Sequence, residues 1–237
     1  MLEIGPGEGF LTVALLATGA RVVAVEKDVR LINFLNKKFH KEITAKKLVL
    51  IHDDILNFLE AKSYLPDGKA GHLEAPYKLI ANIPYYLTGQ IIRQFLTAEN
   101  QPQAMTLMLQ KEVAQRIVAK NNKESLLSIS VKAYGDPRYV RTVPAAVFWP
   151  KPKVNSAILA IENISRRRFR GLSEKHFFGV LRAGFAKKRK KLLSNLSAIA
   201  PKQRVAEAFA ALSLPENMRA EDLSTEGWFA LARELAK

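Results

Sequence analysis

The first 26 residues constrain the fold more than any other part of the chain. A strand-like segment, Met1 to Ile4, runs into the glycine-rich turn Gly5-Pro6-Gly7-Glu8-Gly9. Phe10 to Ala17 then has helical spacing, and Arg21 to Val25 is a β-branched strand that closes on Glu26. This order of strand, turn, helix, strand and acid predicts the start of a nucleotide-binding βαβ unit.

The turn indicates what kind of nucleotide the unit binds. Its glycines follow G-x-G-x-G instead of the G-x-G-x-x-G of dinucleotide-binding proteins, and Glu3 stands where a carboxylate would oppose a pyrophosphate. Both departures favour a neutral or cationic adenosyl ligand, and S-adenosylmethionine, with its sulfonium and ammonium groups, fits. Gly5 and Gly7 allow close approach of the backbone, and Glu26 can accept hydrogen bonds from ribose hydroxyls. Alternatively, Glu3 is a buried acid that bonds the N–H groups of the turn.

A third strand, Leu48 to Ile51, follows the helix predicted for Asp28 to Phe39 and ends in His52-Asp53-Asp54-Ile55. A carboxylate there can accept a hydrogen bond from an adenine amine. We assign that role to Asp54, with Ile55 flanking the ring. The alternative is that the aspartates cap the next short helix.

The fourth strand, Tyr77 to Ala81, stops at Asn82-Ile83-Pro84-Tyr85. Pro84 lacks an N–H and has a fixed φ, and the residue before a proline is held extended. The strand therefore ends in a rigid corner that presents an amide and an aromatic ring, where open α/β sheets bind ligands. The alternative is a purely structural role, in which Asn82 caps the following helix and Tyr85 packs in a core.

Strands and helices continue to alternate as far as Ile161, which predicts a mostly parallel α/β sheet. Periodicity leaves 125–134 open between helix and strand. The loop 143–156 holds three prolines, and Phe148 and Trp149 stand beside two lysines. Rigid aromatics interleaved with cations suit an unstacked base and its backbone, although one of the two rings could pack beneath the loop.

Composition narrows the partners. The 237 residues carry a net charge of +15 with a pI near 10.0, which suits nucleic acid. Cysteine is absent and the four histidines show no metal-ligand spacing, so we expect no metal. We find neither a membrane-spanning run nor a signal peptide, and expect a cytoplasmic protein without a membrane partner.

The character of the chain changes after residue 161. Between residues 166 and 191, 11 of the 37 Lys and Arg residues occur with a single acid. We predict a domain over 1–161, a basic linker over 162–171 and a helical RNA-binding domain over 172–237. The residues expected to contact phosphates are Arg166, Arg167, Arg168, Arg170, Lys187, Lys188, Arg189, Lys190 and Lys191. The alternative is a solvated helix face.

Together these pieces resemble a known family. The turn after Glu3, Glu26, Asp54, the Asn82 corner, Met108 to Val113 and Phe148 to Ser156 occur in the order found in the ribosomal RNA adenine N6-dimethyltransferases. The resemblance extends over nearly the whole chain. It implies a Rossmann-like class I S-adenosylmethionine-dependent methyltransferase sheet with a small C-terminal all-helical domain.

The resemblance also implies roles. Glu3, Gly5, Gly7, Glu26, Asp54, Ile55 and Asn82 would line the cofactor site. Asn82 and the carbonyl of Ile83 would accept hydrogen bonds from the target amine, Pro84 would fix the corner, and Tyr85 and Phe148 would sandwich a flipped adenine. Arg182 to Phe185 and the basic run after it resemble the small-subunit branch.

We therefore expect dimethylation of two adjacent adenosines in a hairpin loop near the 3′ end of small-subunit (16S) rRNA, by a monomer acting on an immature 30S subunit. One alternative is the resistance-type enzyme that modifies large-subunit RNA, and another is a non-catalytic ribosome-assembly factor. The family usually has a Gly-Gln-Asn-Phe-Leu-like motif before its first strand, whereas Met1 lies inside that strand here. From this we expect an open cofactor pocket.

Overall fold

The computed structural model describes residues 1–60 and 76–237. Within them lies a seven-stranded sheet of order β3-β2-β1-β4-β5-β7-β6. The strands are β1 (Leu2–Ile4), β2 (Val22–Glu26), β3 (Leu48–His52), β4 (Lys78–Asn82), β5 (Ala104–Gln110), β6 (Asp136–Val143) and β7 (Ser156–Glu162).

Strands β1 to β5 pair in parallel and β7 pairs antiparallel to β5. The carboxyl ends of β1 to β4 therefore share one edge of the sheet, as the alternation of strands and helices predicts. Glu26 is in register with His52, and Asn82 with Met108. This edge holds the residues that the sequence assigns to the cofactor and the target base.

The chain divides into two compact units, 1–111 with 138–164 and 112–137 with 165–237. The second unit thus includes a segment, 112–137, that the predicted boundary at residue 161 places in the first domain. The helices of the first unit are α1 (Phe10–Ala17), α2 (Val29–Lys38), α3 (His40–Thr44), α4 (Ile55–Glu60) and α5 (Thr88–Thr97).

The core of the first unit packs helices α1 and α2 against the strands of the sheet. Leu15 of α1 packs with Leu35 of α2 and with strand residues such as Val22 and Leu48. Asp28 caps the start of helix α2, and its side chain accepts a hydrogen bond from the N–H of Arg30. The sequence of residues 57–76 is polar and contains glycine, which predicts a loop with a short helix, and most of this segment lies outside the described residues.

The second unit is helical. It contains nearly all of α6 (Lys111–Ile117) with α7 (Leu126–Lys132), α8 (Glu174–Gly184), α9 (Leu192–Leu196), α10 (Lys202–Ala211) and α11 (Thr225–Glu234). The ambiguous segment 125–134 is thus a helix. Ser125 and Ser128 form a reciprocal capping box at its start, which periodicity alone does not reveal.

Aromatic rings make up much of the second unit's interior. Trp228 is fully buried, and the Phe177 and Phe229 rings stack with centroids 4.3 Å apart. Across 1–60 and 76–237, no helix is long and apolar enough to cross a membrane. In the same residues, no three His, Asp or Glu side chains are grouped closely enough to hold a metal ion.

Candidate active site

The glycine turn leaves open space beside its backbone. Gly5 and Gly7 have φ of +61° and +58°, and a Cβ atom on either would meet nothing within 4 Å. The N–H of Gly5 donates to the carbonyl of Val25 at 2.9 Å, which ties the turn to β2. Gly9 serves a different purpose, because a Cβ there would lie 2.5 Å from the Phe39 ring. Gly5 and Gly7 thus form a cradle, and Gly9 permits helix packing.

Glu26 organises this turn from the end of β2. Its Oε2 accepts a hydrogen bond from the N–H of Gly7 at 3.2 Å, and its Oε1 accepts from the N–H groups of Lys27 and Asp28 at 2.8 and 2.9 Å. A carboxylate has about four acceptor positions. One therefore remains on Oε2 for a ligand hydroxyl.

Glu3 is fully buried directly before the turn. Its Oε2 accepts a hydrogen bond from Thr12 Oγ1 at 2.8 Å, whereas its Oε1 has no partner among the described residues. Burial raises the pKa of Glu3, and the Thr12 hydrogen bond opposes that rise. The alternative in which Glu3 bonds the turn's own N–H groups is wrong, because Glu26 accepts from Gly7 instead.

Asp54 caps α4, as one of the two interpretations of the Asp53-Asp54 pair expects. Its Oδ1 accepts from the N–H of Leu56 at 3.0 Å, and its Oδ2 accepts from Lys27 Nζ at 3.0 Å. The Leu56 N–H and the Lys27 ammonium lower the pKa of Asp54. These two bonds occupy two of the roughly four acceptor positions of the carboxylate, so Asp54 can accept from an adenine amine beside the Lys27 contact. Ile55 is buried next to it.

The rigid corner forms where the sequence predicts it. Asn82 is the last residue of β4, the N–H of Ile83 donates to the carbonyl of Met108 at 3.0 Å, and Pro84 has φ of −53°. The Asn82 side chain is exposed and has no hydrogen-bond partner among residues 1–60 and 76–237. The N-cap of α5 is Leu87, so Asn82 does not cap that helix.

Tyr85 is half-buried and joined to the neighbouring loop. Its hydroxyl lies 2.9 Å from Ser156 Oγ, and its carbonyl accepts from Thr88 Oγ1 at 3.1 Å. Ser156 begins β7 and is in register with Gln110 of β5. Sequence reasoning gave Ser156 no function of its own, although its position directly after the aromatic loop is a usable signal.

The aromatic loop 143–156 is pinned at its base. Asn155 Oδ1 accepts from the N–H of Ala145 at 2.9 Å, and the Asn155 carbonyl accepts from the N–H of Lys111 at 3.0 Å. Phe148 is half-buried, whereas Trp149 is 97% exposed and precedes a cis peptide bond to Pro150. Core packing therefore does not account for Trp149.

The predicted phosphate contacts fall into two groups. Arg166 forms an ion pair with Glu174 at 2.7 Å, and Arg168 pairs with Asp136 at 3.2 Å and with Glu226 at 3.6 Å. By contrast, Arg167, Arg170 and residues 187–191 are all exposed, and no acid in the described part of the chain pairs with them. The run 187–191 is thus the stronger electrostatic surface.

The sheet order, the glycine cradle and the acid after β2 define a class I methyltransferase of the S-adenosylmethionine-dependent type. The match to the ribosomal RNA adenine dimethylase family runs over residues 1–237. The chain belongs to that family and is an rRNA adenine dimethyltransferase.

Named relatives agree with this assignment. The chain is 41% identical over 238 residues to ribosomal RNA small subunit methyltransferase A of Dehalococcoides mccartyi, with all of this chain and 78% of the relative covered. The enzyme of the same name from Fusobacterium nucleatum is 34% identical, over 98% of this chain and 85% of the relative.

Two solved structures share the fold. A dimethyladenosine transferase from Plasmodium falciparum is 25% identical with a TM-score of 0.76, covering 97% of this chain and 87% of that one. The 23S rRNA methyltransferase ErmE gives a TM-score of 0.75 at 24% identity, covering 100% and 90%. The latter likeness concerns the fold alone.

Proposed function

We propose that this protein transfers methyl groups from S-adenosylmethionine to N6 of adenines in small-subunit rRNA, converting each target to N6,N6-dimethyladenine. The target subunit is inferred from the names of the Dehalococcoides and Fusobacterium relatives. The observation that carries the proposal is the exposed amide of Asn82 at the carboxyl end of β4, which has no partner in 1–60 and 76–237 and precedes the Ile83-Pro84 corner. We further propose that a monomer acts on the immature 30S subunit.

The residues around the turn fit the cofactor. The open space beside Gly5 and Gly7 admits the part of the cofactor that approaches the backbone, and the negative charge of the buried Glu3 carboxylate, directly before the turn, suits an ammonium group nearby. Glu26 has an acceptor position left for a ribose hydroxyl, and Asp54 with Ile55 stands where the adenine is expected. Bound here, S-adenosylmethionine supplies a methyl group on a positively charged sulfur.

The corner after β4 makes the target nitrogen a better nucleophile. The N6 lone pair of adenine is delocalised into the ring, so the amine is a poor nucleophile. Acceptance of its two hydrogens by Asn82 Oδ1 and the Ile83 carbonyl favours a pyramidal nitrogen whose lone pair is available. Tyr85 and Phe148 hold the ring between them, so that positioning provides most of the rate.

The second methylation needs freedom at the same site. A monomethylated amine has one hydrogen left, so it can donate to only one of the two acceptors, Asn82 Oδ1 or the Ile83 carbonyl. It must also rotate to bring its lone pair back toward the methyl donor. The Asn82 side chain is exposed and has no hydrogen-bond partner among the described residues, which leaves it that freedom. Residues 187–191 would meanwhile hold the phosphates of the RNA, and this part of the affinity should fall steeply with salt.

In the direct experiment, the protein is incubated with labelled S-adenosylmethionine and with small or large ribosomal subunits from a strain that lacks the two dimethyladenines. Incorporation into small-subunit RNA, recovered as N6,N6-dimethyladenosine, supports the proposal. Incorporation only into large-subunit RNA supports the resistance-type alternative. RNA binding without any cofactor-dependent product supports a non-catalytic assembly factor.

A further inference from the structure

The helical unit contains a cavity of about 910 Å³ whose lining comes entirely from that unit. It is formed by α6, the segment that leads into α7, the end of α8 and the turn at 220–222. The lining side chains that matter for its chemistry are Gln115, Arg116, Leu126, Phe185 and Lys188. A volume of this size is ample for a nucleotide, since sites for small organic ligands span roughly 300–1,000 Å³.

The walls of this cavity are held by specific bonds. The N–H of Glu124 donates to the carbonyl of Glu221 at 2.8 Å, and Lys123 Nζ donates to Asp222 Oδ1. The capping box of Ser125 fixes the start of α7 in the same wall. The cavity is thus formed by bonded segments before any ligand arrives.

One wall is an aromatic platform. Phe185 is half-buried, and its ring stacks on the fully buried Trp228 with centroids 5.3 Å apart and planes 23° apart. Leu126, which is 39% exposed, adds an apolar surface to the lining. A rigidly backed ring with an accessible side is what proteins offer to an unstacked nucleobase.

The lining carries charges of both signs, with Glu112, Glu124 and Glu221 beside Arg116, Lys120, Lys123 and Lys188. The carboxylate of Glu124 pairs with Lys132 at 2.6 Å, and Lys123 pairs with Asp222, so these groups neutralise one another. Arg116 and Lys188 are exposed and form no ion pair within the described residues. Gln115 adds amide groups that can bond a base edge. A free phosphate would favour a uniformly cationic lining, which this cavity lacks.

We propose that this cavity binds one unstacked nucleotide of the substrate RNA, distinct from the adenine that is methylated. The base stacks on Phe185, Gln115 bonds its edge, and Arg116 and Lys188 contact the flanking phosphates. Since Lys188 also belongs to the basic run 187–191, the nucleotide is continuous with RNA bound there. The inference rests on the proposed function, because it takes the RNA to be the ribosomal substrate.

The test measures equilibrium binding to under-methylated small subunits for three variants. Phe185→Leu removes the stacking plane, and Gln115→Trp fills the cavity from a half-buried position. Phe178→Leu is the control, because Phe178 is also half-buried in this unit and packs on aromatic rings, stacked on Tyr134 at 5.9 Å and in contact with Phe169 and Phe177, but does not line the cavity. Thermal unfolding of each variant monitors the fold. Should Phe185→Leu fail to fold, the binding measured for Gln115→Trp tests the inference by itself.

We expect Phe185→Leu and Gln115→Trp to weaken binding about 5- to 100-fold, the range found when a base loses its stacking partner. The salt dependence of binding should stay as in the wild type, and Phe178→Leu should bind normally. Wild-type affinity in both cavity variants, or an equal loss in Phe178→Leu, overturns the inference. Absence of methyl transfer by a wild-type protein that binds the subunit contradicts the proposed function instead, and leaves the binding comparison valid.

Discussion

The hydroxyl of Tyr85 lies 2.9 Å from Ser156 Oγ, and this contact joins the corner after β4 to the end of the aromatic loop. Ser156 is only 2% exposed and is fixed by its register with Gln110. The ring that we propose to stack on the target base is therefore anchored through the sheet. A phenol held in this way has less freedom to lose when the base arrives.

Removal of the contact between Tyr85 and Ser156 should slow methyl transfer without changing the affinity for the cofactor. We expect Ser156→Ala to lower kcat/KM about 5-fold, in line with a net hydrogen-bond contribution of roughly 1 kcal/mol. Tyr85→Phe should have the same effect, and the double variant should be no worse than either single one. Rates on under-methylated small subunits measure this cycle. Strictly additive losses would show that the two side chains act independently.

Replacement of Gly7 by alanine should still allow the protein to fold but should weaken cofactor binding. Gly7→Ala places a Cβ in the open cradle at φ of +58°, and Gly19→Ala introduces similar backbone strain at φ of +79° after α1. Each should cost about 1–2 kcal/mol of stability, because L-residues disfavour that conformation. Only Gly7→Ala should weaken S-adenosylmethionine binding, by at least 10-fold in calorimetry. Equal cofactor affinities for the two variants would count against the cradle.

The buried carboxyl of Glu3 predicts a pH dependence. Its pKa is raised from 4.5 by burial, so the folded state binds a proton more tightly than the unfolded chain does. Glu3 therefore lowers stability as the pH rises from 4.5 through the raised value, and the penalty is complete above it. We expect Glu3→Gln to raise Tm at pH 8 more than at pH 4.5, and to weaken cofactor binding at pH 8. An unchanged cofactor affinity would mean that the charge of Glu3 does not stabilise the ammonium group of the cofactor.

The basic residues should separate into two classes. Arg189 is exposed and unpaired within the described residues, whereas Arg168 is held by Asp136 and Glu226. We expect Arg189→Gln to weaken RNA binding and to reduce the slope of log affinity against log salt by about one. Arg168→Gln should instead lower Tm and change the slope less. Identical slopes for the two variants would contradict this division.

Much of the fold could be predicted because its signals are local. Glycines at fixed offsets, short β-branched strands and an Asn-Ile-Pro-Tyr corner each restrict the backbone within a few residues. The order of these signals then predicts a parallel sheet. Helix α1 runs from Phe10 to Ala17, as its spacing indicates.

Other features depend on distant partners and could not be predicted. Asp54 bonds Lys27, which lies 27 residues away along the chain, and Tyr85 bonds Ser156 across 71 residues. Arg166 and Arg168 look like free cations in the sequence, yet Glu174 and Asp136 neutralise them in the fold. Local sequence patterns do not predict such pairs, because the partners are far apart along the chain.

In the mechanism that we propose, the amide of Asn82 activates the target amine. The most direct measurement is single-turnover methyl transfer by Asn82→Ala with saturating S-adenosylmethionine and under-methylated small subunits. Because the side chain is exposed and has no partner within the described residues, Tm and RNA affinity should stay unchanged. We predict a rate at least 100-fold lower, as found for loss of a group that positions a reacting atom. A variant that transfers methyl groups at the wild-type rate would contradict the account.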